Sequence, residues 1–389
     1  MKNTIAVITA LLFGVTTGLS AQDFGFGFDD TGAEETGSSI PFAVSIGGEA
    51  GAELVGYVKD IFSEEIGEAQ LGDIFLGKLN FSAETSHAKG IINLKLSPTV
   101  SPVAIDEAYM AAFFGNFDIE GGLRKLTWGK ADSFGPLDVI NPLDFSSLTN
   151  MTSVLERKIA RPLVHASYRF GQFSKLEGVF VPTFEGIRFA TSGRWVPPQF
   201  ASIPEGLTIN TPDTSKLEYA QAGLRFTTTA GPADIGFQYY YGYLSRPGMV
   251  LNFTGPVPTG IDLLYNPYHQ IGADWAQVIG GFNLRAEAAA NITGDLAGDD
   301  GSVYNPALAW SLGFDRDLFW NINLNLQVNE TIRLLDSKCG PLDIEANADI
   351  TSTRVTAKLS KKFLRDELEI SAAAIWGIED SDCLIMPSL

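Results

Sequence analysis

Trp320-Asn321-Ile322-Asn323-Leu324-Asn325-Leu326-Gln327-Val328-Asn329 alternates without a break, apolar at every even position and a carboxamide at every odd one. Side chains on a strand point to opposite faces in turn, so this segment offers one oily face and one that wants water. A half-buried strand in a soluble sandwich does the same, and the rest of the chain decides between the two. The pattern recurs over 41–57, 72–85, 88–97, 105–115, 117–128, 162–171, 173–182, 216–228, 233–244, 268–279, 281–293, 306–315, 318–331, 349–361 and 367–378. Each segment suffices to cross a bilayer at a tilt, which takes about 9–11 residues.

The connections alternate in length. Gly115-Asn116, Gly171-Gln172, Gly231-Pro232, Gly280-Gly281, Asp315 to Asp317 and Lys361 to Asp366 are tight, whereas 58–71, 129–161, 183–215, 245–267, 294–305 and 332–348 are long. A membrane barrel with short periplasmic turns and long outer loops has this asymmetry; a sandwich has no reason to keep its long loops at one end. Phe114, Phe117, Phe170, Phe173, Phe226, Phe282, Phe314, Phe319, Trp320 and Phe363 gather at the tight turns, as an interfacial girdle requires. Cross-strand packing in hairpins also favours aromatics. The expected fold is all-β: a transmembrane antiparallel up-and-down β-barrel of about 16 strands.

Composition agrees. The 389 residues are 45% apolar and 11% aromatic with 40 glycines, enough for one large β domain, and their net charge of -19 disfavours nucleic acid as a partner. Lys2, the apolar Ile5 to Val15 and the small-residue site Leu19-Ser20-Ala21 read as a signal peptide over 1–21, too short to span a bilayer. Residues 22–39 read as a flexible acidic lead-in in which Phe24, Phe26 and Phe28 alternate with glycine, and 40–389 as the barrel.

Alternation sends Leu79, Phe81, Ile92, Val164, Tyr168, Leu284, Val355 and Leu359 outward, with Phe75, and collects polar groups on the other face. Lys78, Lys95, Glu120, Arg124, Trp128, Arg169, Arg225, Arg285, Glu287, Asn323, Asn325, Arg354 and Lys358 are the pore-lining candidates. A Lys or Arg facing the bilayer midplane costs about 2–4 kcal/mol on a barrel, so these charges belong inside, as a structural salt-bridge mesh or as a charged conduit. Bases outnumber acids among the inward residues identified by parity, which hints at anion tolerance. Asp132, Asp138, Asp144 and Arg157 mark the third long connection as a constriction loop folded into the lumen or, alternatively, packed on the rim. Asn141-Pro142 gives it a rigid turn.

Catalytic motifs such as G-x-S-x-G and H-E-x-x-H are missing, and the Asp spacing fits no calcium loop, so neither an enzyme nor a cofactor or metal is expected. Cys339 and Cys383 are the only cysteines. Counting turns puts both at the outer rim, and an exported chain meets an oxidising compartment, so a disulfide is expected.

One order of motifs is more specific. Asp106-Glu107-Ala108-Tyr109 is followed by Gly122-Leu123-Arg124-Lys125, Trp128-Gly129-Lys130 and Val139-Ile140-Asn141-Pro142-Leu143-Asp144. Then come Glu156-Arg157-Lys158, Pro162, Phe180-Val181-Pro182, Gly272-Ala273-Asp274 and Leu284-Arg285-Ala286-Glu287. From about Ala108 to Gly377 the chain resembles a poorly characterised family of porin-like outer-membrane barrels of diderm bacteria, the Trp-Gly…Asn-Pro-Leu-Asp segment being the specific part. The resemblance implies an outer-membrane channel or transporter with no settled substrate, with membrane lipid and the barrel-assembly machinery as partners. Such barrels usually end in an aromatic residue that this machinery reads. Here the end is Cys383 to Leu389, read as a sixteenth strand cut short.

The functional expectation is passage of small solutes across an outer membrane. One alternative is an adhesin or structural barrel acting through long outer loops that carry Trp195, Tyr243, Phe253 and Tyr265. Another is a transporter of hydrophobic substrates plugged by its N-terminal Phe residues. Oligomeric state is not legible.

Overall fold

The computed structural model describes residues 8–14, 43–57, 69–70, 76–97, 101–146, 154–191, 196–197, 200, 203, 207–254, 256–335, 339–340, 343–346 and 348–388. Sixteen strands follow one another: β1 Ala43–Tyr57, β2 Leu76–Glu84, β3 Ala88–Ser97, β4 Ser101–Phe114, β5 Phe117–Arg124, β6 Arg161–Phe170, β7 Ser174–Val181 and β8 Gln221–Ala230. The second half is β9 Ala233–Tyr243, β10 Pro267–Ile279, β11 Phe282–Thr293, β12 Ala307–Asp317, β13 Ile322–Arg333, β14 Thr351–Phe363, β15 Leu368–Gly377 and β16 Asp382–Ser388. Each pairs antiparallel with the next. A further strand, Ile8–Gly14, falls within the stretch expected to be a signal peptide; it pairs with the far end of β1 and lies beside β16.

The expected segments fall on these strands, and the sixteenth begins at Asp382, beside Cys383. The opening run starts its strand later than the alternation suggests. Leu318 to Asn321 form the turn, with Trp320 and Asn321 at φ 59° and 55°. The length asymmetry holds with two exceptions: residues 98–100 and 378–381 are short connections at the long-loop end. That end also carries elements that alternation does not flag. Thr208–Asn210 joins a hairpin of Gly248–Thr254 and Val257–Leu264, and Asp144–Phe145 pairs in parallel with Arg188–Phe189.

Outward positions carry the exposed apolar side chains, among them Val44, Ile92, Val164, Leu224, Ile271, Leu312 and Leu359. At the tight turns Phe114, Phe170, Phe173, Phe319 and Trp320 stand exposed. Arg316 lies over the Phe282 ring at 4.3 Å and Lys361 over Phe363 at 5.0 Å, apolar stems along the surface and charges toward its rim. Phe75, Trp195 and the Phe24, Phe26 and Phe28 of the lead-in lie outside the described residues.

The expected disulfide is not made, and both thiols are free. Cys339 lies between β13 and β14, whereas Cys383 sits on β16, with β15 in between. Two strand spacings amount to about 10 Å, beyond the reach of a disulfide. Cys339 Sγ instead accepts a hydrogen bond from Asn305 Nδ2 at 3.2 Å.

Candidate functional site

β5 ends at Arg124 because the chain turns there into the barrel, and one buried carboxamide fixes the turn. Asn141 Oδ1 accepts from Leu126 N at 2.7 Å, while its Nδ2 donates to Arg124 O at 3.0 Å and Ile159 O at 2.9 Å. Both limbs of the connection are thus tied at the root by the Asn of the Asn-Pro-Leu-Asp segment. Lys158 makes the second tie, donating to Leu126 O, Thr127 Oγ1 and Asp138 Oδ1, each at 2.7 Å. Burial pushes the Asp138 carboxyl above the usual carboxylate range despite Lys158, and pushes the Lys158 ammonium down despite Asp138.

Beyond the root the loop crosses the lumen. Glu287 on β11 accepts from the backbone N–H groups of Lys130, Ala131 (2.7 Å) and Leu137 (3.3 Å). Gly129, at φ +93°, and Gly135 leave room for that carboxylate, where any Cβ would collide with it. Gln327 on β13 accepts from Asp132 N at 2.9 Å and Ser133 N at 3.2 Å and donates to Phe134 O at 3.3 Å. Gln238 on β9 donates to Leu137 O at 2.9 Å, and Gln270 on β10 to Pro136 O at 3.0 Å. The carboxamides face the lumen by strand parity; in the loop they find the backbone groups that a buried irregular segment must satisfy.

Under the loop lies an apolar layer. Leu126, Trp128, Ile140, Leu163, Val179, Val181, Tyr240 and Tyr268 form one buried cluster inside the barrel. Gly223 admits the Trp128 indole, whose ring atoms would sit 2.8 Å from any added Cβ. The returning limb, including the helical turn Val154–Arg157, docks on the opposite wall. Glu156 Oε1 bonds Lys78 Nζ at 2.7 Å, and Lys95 Nζ reaches Glu156 O at 3.3 Å. Burial works to raise the Glu156 pKa, but the ammonium groups of Lys78, Lys95 and Lys125 outweigh it and hold the carboxyl low. One connection thus touches β2, β3, β9, β10, β11 and β13, strands on opposite sides of the ring.

Among the described residues, most of the other inward charges are paired. Lys95 meets Asp106 at 2.9 Å, Arg124 Glu120 at 3.1 Å, Arg169 Asp118 at 2.6 Å and Arg225 Asp274 at 2.5 Å. Arg285 joins Asp132 and Asp315. Lys358 meets Glu369 at 3.2 Å, and Arg354 meets Asp380 at 4.0 Å. His165 sits between Glu120 (3.2 Å) and Glu177 (3.3 Å). The surplus of inward base expected from parity is therefore corrected: Glu49, Asp106, Glu156, Asp274 and Asp315 all supply partners for it. Asp106 escaped the parity count because a bulge between Asn93 and Leu94 shifts the register, pairing Asn93 with Glu107 and Leu94 with Ile105.

The pore-lining candidates divide. Lys78, Lys95, Glu120, Arg124, Arg285, Asn325 and Lys358 keep part of their surface open to the lumen. Asn325 donates to Asp132 at 2.8 Å, and Asn323 donates to Asp317 at 2.9 Å near a tight turn. Trp128, Arg225 and Glu287 are only 3%, 4% and 3% exposed, because the loop covers them; they hold the loop rather than line free space. In the loop, Asp132 reaches the lumen wall and Asp138 is sealed against Lys158. Asp144 and Arg157 join at the outer end, where Arg157 donates to Asp144 O at 2.7 Å and lies over Phe145. Sequence reasoning marked Asn141 as part of a rigid turn but not as an anchor, and missed the anchors Lys158, Gln238, Gln270 and Gln327. The carboxamide parity of the opening run was the signal for Gln327.

No protein-family model matches the chain, and no curated protein matches it. Among solved structures it is similar to OmpT, an outer membrane protein of Vibrio cholerae, folded in vitro, at 12% identity over 89% of each chain with a TM-score of 0.49. It is similar to Salmonella typhi OmpF in complex with daunomycin at 7% identity, covering 86% of this chain and 88% of that one, TM-score 0.44. It is also similar to the outer membrane channel DcaP of Acinetobacter baumannii at 11% identity, covering 90% and 96%, TM-score 0.44.

Proposed function

We propose that this chain is a porin-like channel of a bacterial outer membrane, passing small solutes through a lumen narrowed by residues 125–146 and 154–160. The observation that carries the reading is the inward loop, fastened by Glu287, Gln327, Gln238 and Gln270. An apolar outer face with exposed aromatics at the turns, around an interior of polar and charged side chains, supports a location in lipid. In this reading residues 1–21 direct export and are removed, the Ile8–Gly14 strand with them, the barrel-assembly machinery inserts the protein, and no catalytic step occurs. Asp132, Arg285 and Asn325 form one side of the narrowing, and Lys78, Lys95 and Glu156 form the other. The test is conductance of the purified, refolded protein in planar bilayers. Discrete current steps are expected; their absence from protein whose heat-modifiable gel band shows a folded barrel overturns the reading.

A second reading, a surface barrel that binds through its outer connections, is favoured by the exposed Ile209, Leu251, Phe253 and Val257 of the three-stranded outer sheet. Of its other aromatics, Tyr243 and Tyr265 pack on Phe184 at 5.5 and 4.7 Å. Deleting 248–264 separates the readings: a channel keeps its conductance, whereas a surface binder loses cell attachment.

A further inference from the structure

The loop's hold on the β2–β3 wall reaches Lys78 and Lys95. Closer to the tight turns, β1 to β4 form an open recess of about 480 Å³ whose polar lining is Ser45, Asn80, Ser82, Lys89, Asn93 and Tyr109, with Ile46, Phe81 and Ile91 at its edges. The outward neighbours on these strands, Val44, Ile92 and Met110, are apolar and exposed, so the polar set belongs to the lumen. The lining chemistry is mostly uncharged. Ser45 and Ser82 share a hydrogen bond at 2.7 Å, Asn93 Nδ2 donates to Glu107 at 3.1 Å, and Asn80 is exposed. The one cation, Lys89, is matched by Glu84 at 3.1 Å. Arg124 covers the Tyr109 ring at 4.1 Å and is itself matched by Glu120.

A charged solute entering this space would give up hydration and find each ammonium or carboxylate already engaged. A solute rich in hydroxyls would find, at Asn80, the Ser45–Ser82 pair and the Tyr109 hydroxyl, neutral groups that both donate and accept and can exchange one neutral partner for another. The volume lies in the ordinary range for a small-ligand site, about 300–1,000 Å³. We infer that this recess binds uncharged, hydroxyl-rich solutes of the sugar or polyol class in transit. The inference rests on the channel reading above.

The test uses the full protein in two assays. In proteoliposome swelling, glucose and sorbitol should enter faster than their charged counterparts gluconate and glucosamine. In bilayers, glucose should block single-channel current at a half-blocking concentration that rises roughly three- to tenfold in Asn80→Leu and in Tyr109→Ala, the worth of one neutral contact. Entry of either charged solute as fast as glucose, or unchanged block in both variants, overturns the inference while the channel stands. Absence of both current and swelling overturns the channel reading and this inference with it.

Discussion

Glu287→Gln tests the loop's anchorage most directly. The wild-type carboxylate is 3% exposed and accepts three backbone N–H groups, those of Lys130, Ala131 and Leu137. A hydrogen bond to a charged acceptor contributes about 1.5–3 kcal/mol, and a buried donor left unmatched costs about 1–3. The amide preserves shape. Its oxygen still serves the Lys130–Ala131 pair, but its NH2 then faces the Leu137 N–H, donor against donor. Allowing for the desolvation that a neutral side chain avoids, we expect a loss of about 2–4 kcal/mol, roughly a 30- to 700-fold fall in the ratio of docked to undocked loop. Gln327, Gln238 and Gln270 still hold the loop, so the single variant should show brief excursions to higher conductance. Glu287→Gln with Gln327→Leu should show a stable, larger conductance and new protease cleavage between Ala131 and Leu137. The two changes share one loop, so their effects should not add. The reasoning is refuted if the double variant, shown to be folded, retains both wild-type conductance and wild-type protease resistance.

Four further outcomes follow from the geometry. Lys158→Met strands the Asp138 carboxyl under the loop and should cost about 3–5 kcal/mol, read as a lower midpoint of the heat-induced gel shift, with recovery in Lys158→Met/Asp138→Leu. Hydrogen bonds from the Thr353 N–H and from the Thr353 and Thr351 hydroxyls depress the Glu379 carboxyl from 4.5 to about 2. A depressed carboxyl adds stability above its unfolded pKa and loses it as pH falls through the folded value. The gel-shift midpoint should therefore drop between pH 4.5 and about 2 in the wild type, and drop less in Glu379→Gln. Arg124→Glu replaces a compensated pair with two carboxylates beside Tyr109, so reversal potentials in asymmetric salt should move toward cation preference; normal conductance without a shift would make Arg124 structural. Tags within 294–300 should bind antibody on intact cells, while tags at Gly280-Gly281 should not; the opposite result would invert the topology.

The barrel was legible because its information is local. A strand's face is set by parity, and Leu324, Leu326 and Val328 against Asn325, Gln327 and Asn329 state it within a few residues of one another. Parity fails where the ladder does. The bulge opposite Asn93 switches the face of everything before it on β4, which leaves both Asp106 and Glu107 pointing inward, Asp106 to Lys125 at 2.6 Å and Glu107 to the Lys125 N–H at 2.9 Å. That one added residue gave Lys95 and Lys125 a carboxylate partner that parity had sent outward. The loop escapes for a different reason. Its anchors lie far off in sequence, Leu137 and Gln238 by 101 residues and Asp132 and Gln327 by 195, and nothing in a strand pattern says which inward carboxamide meets water and which meets backbone. The Asn-Pro turn suggested that the connection was built rather than slack, but not which way it folded. That direction follows from burial. A segment carrying Trp128, Leu137 and Ile140 needs an apolar site, and the barrel supplies one where glycines open its inner wall. Gly223 receives Trp128, and Gly272 receives Leu137, whose methyl group occupies the place a Cβ would take. Those two glycines lie inside strands, where they weaken the ladder. Their presence at inward positions, opposite a connection rich in apolar residues, is the sequence feature that points the loop into the lumen rather than onto the rim.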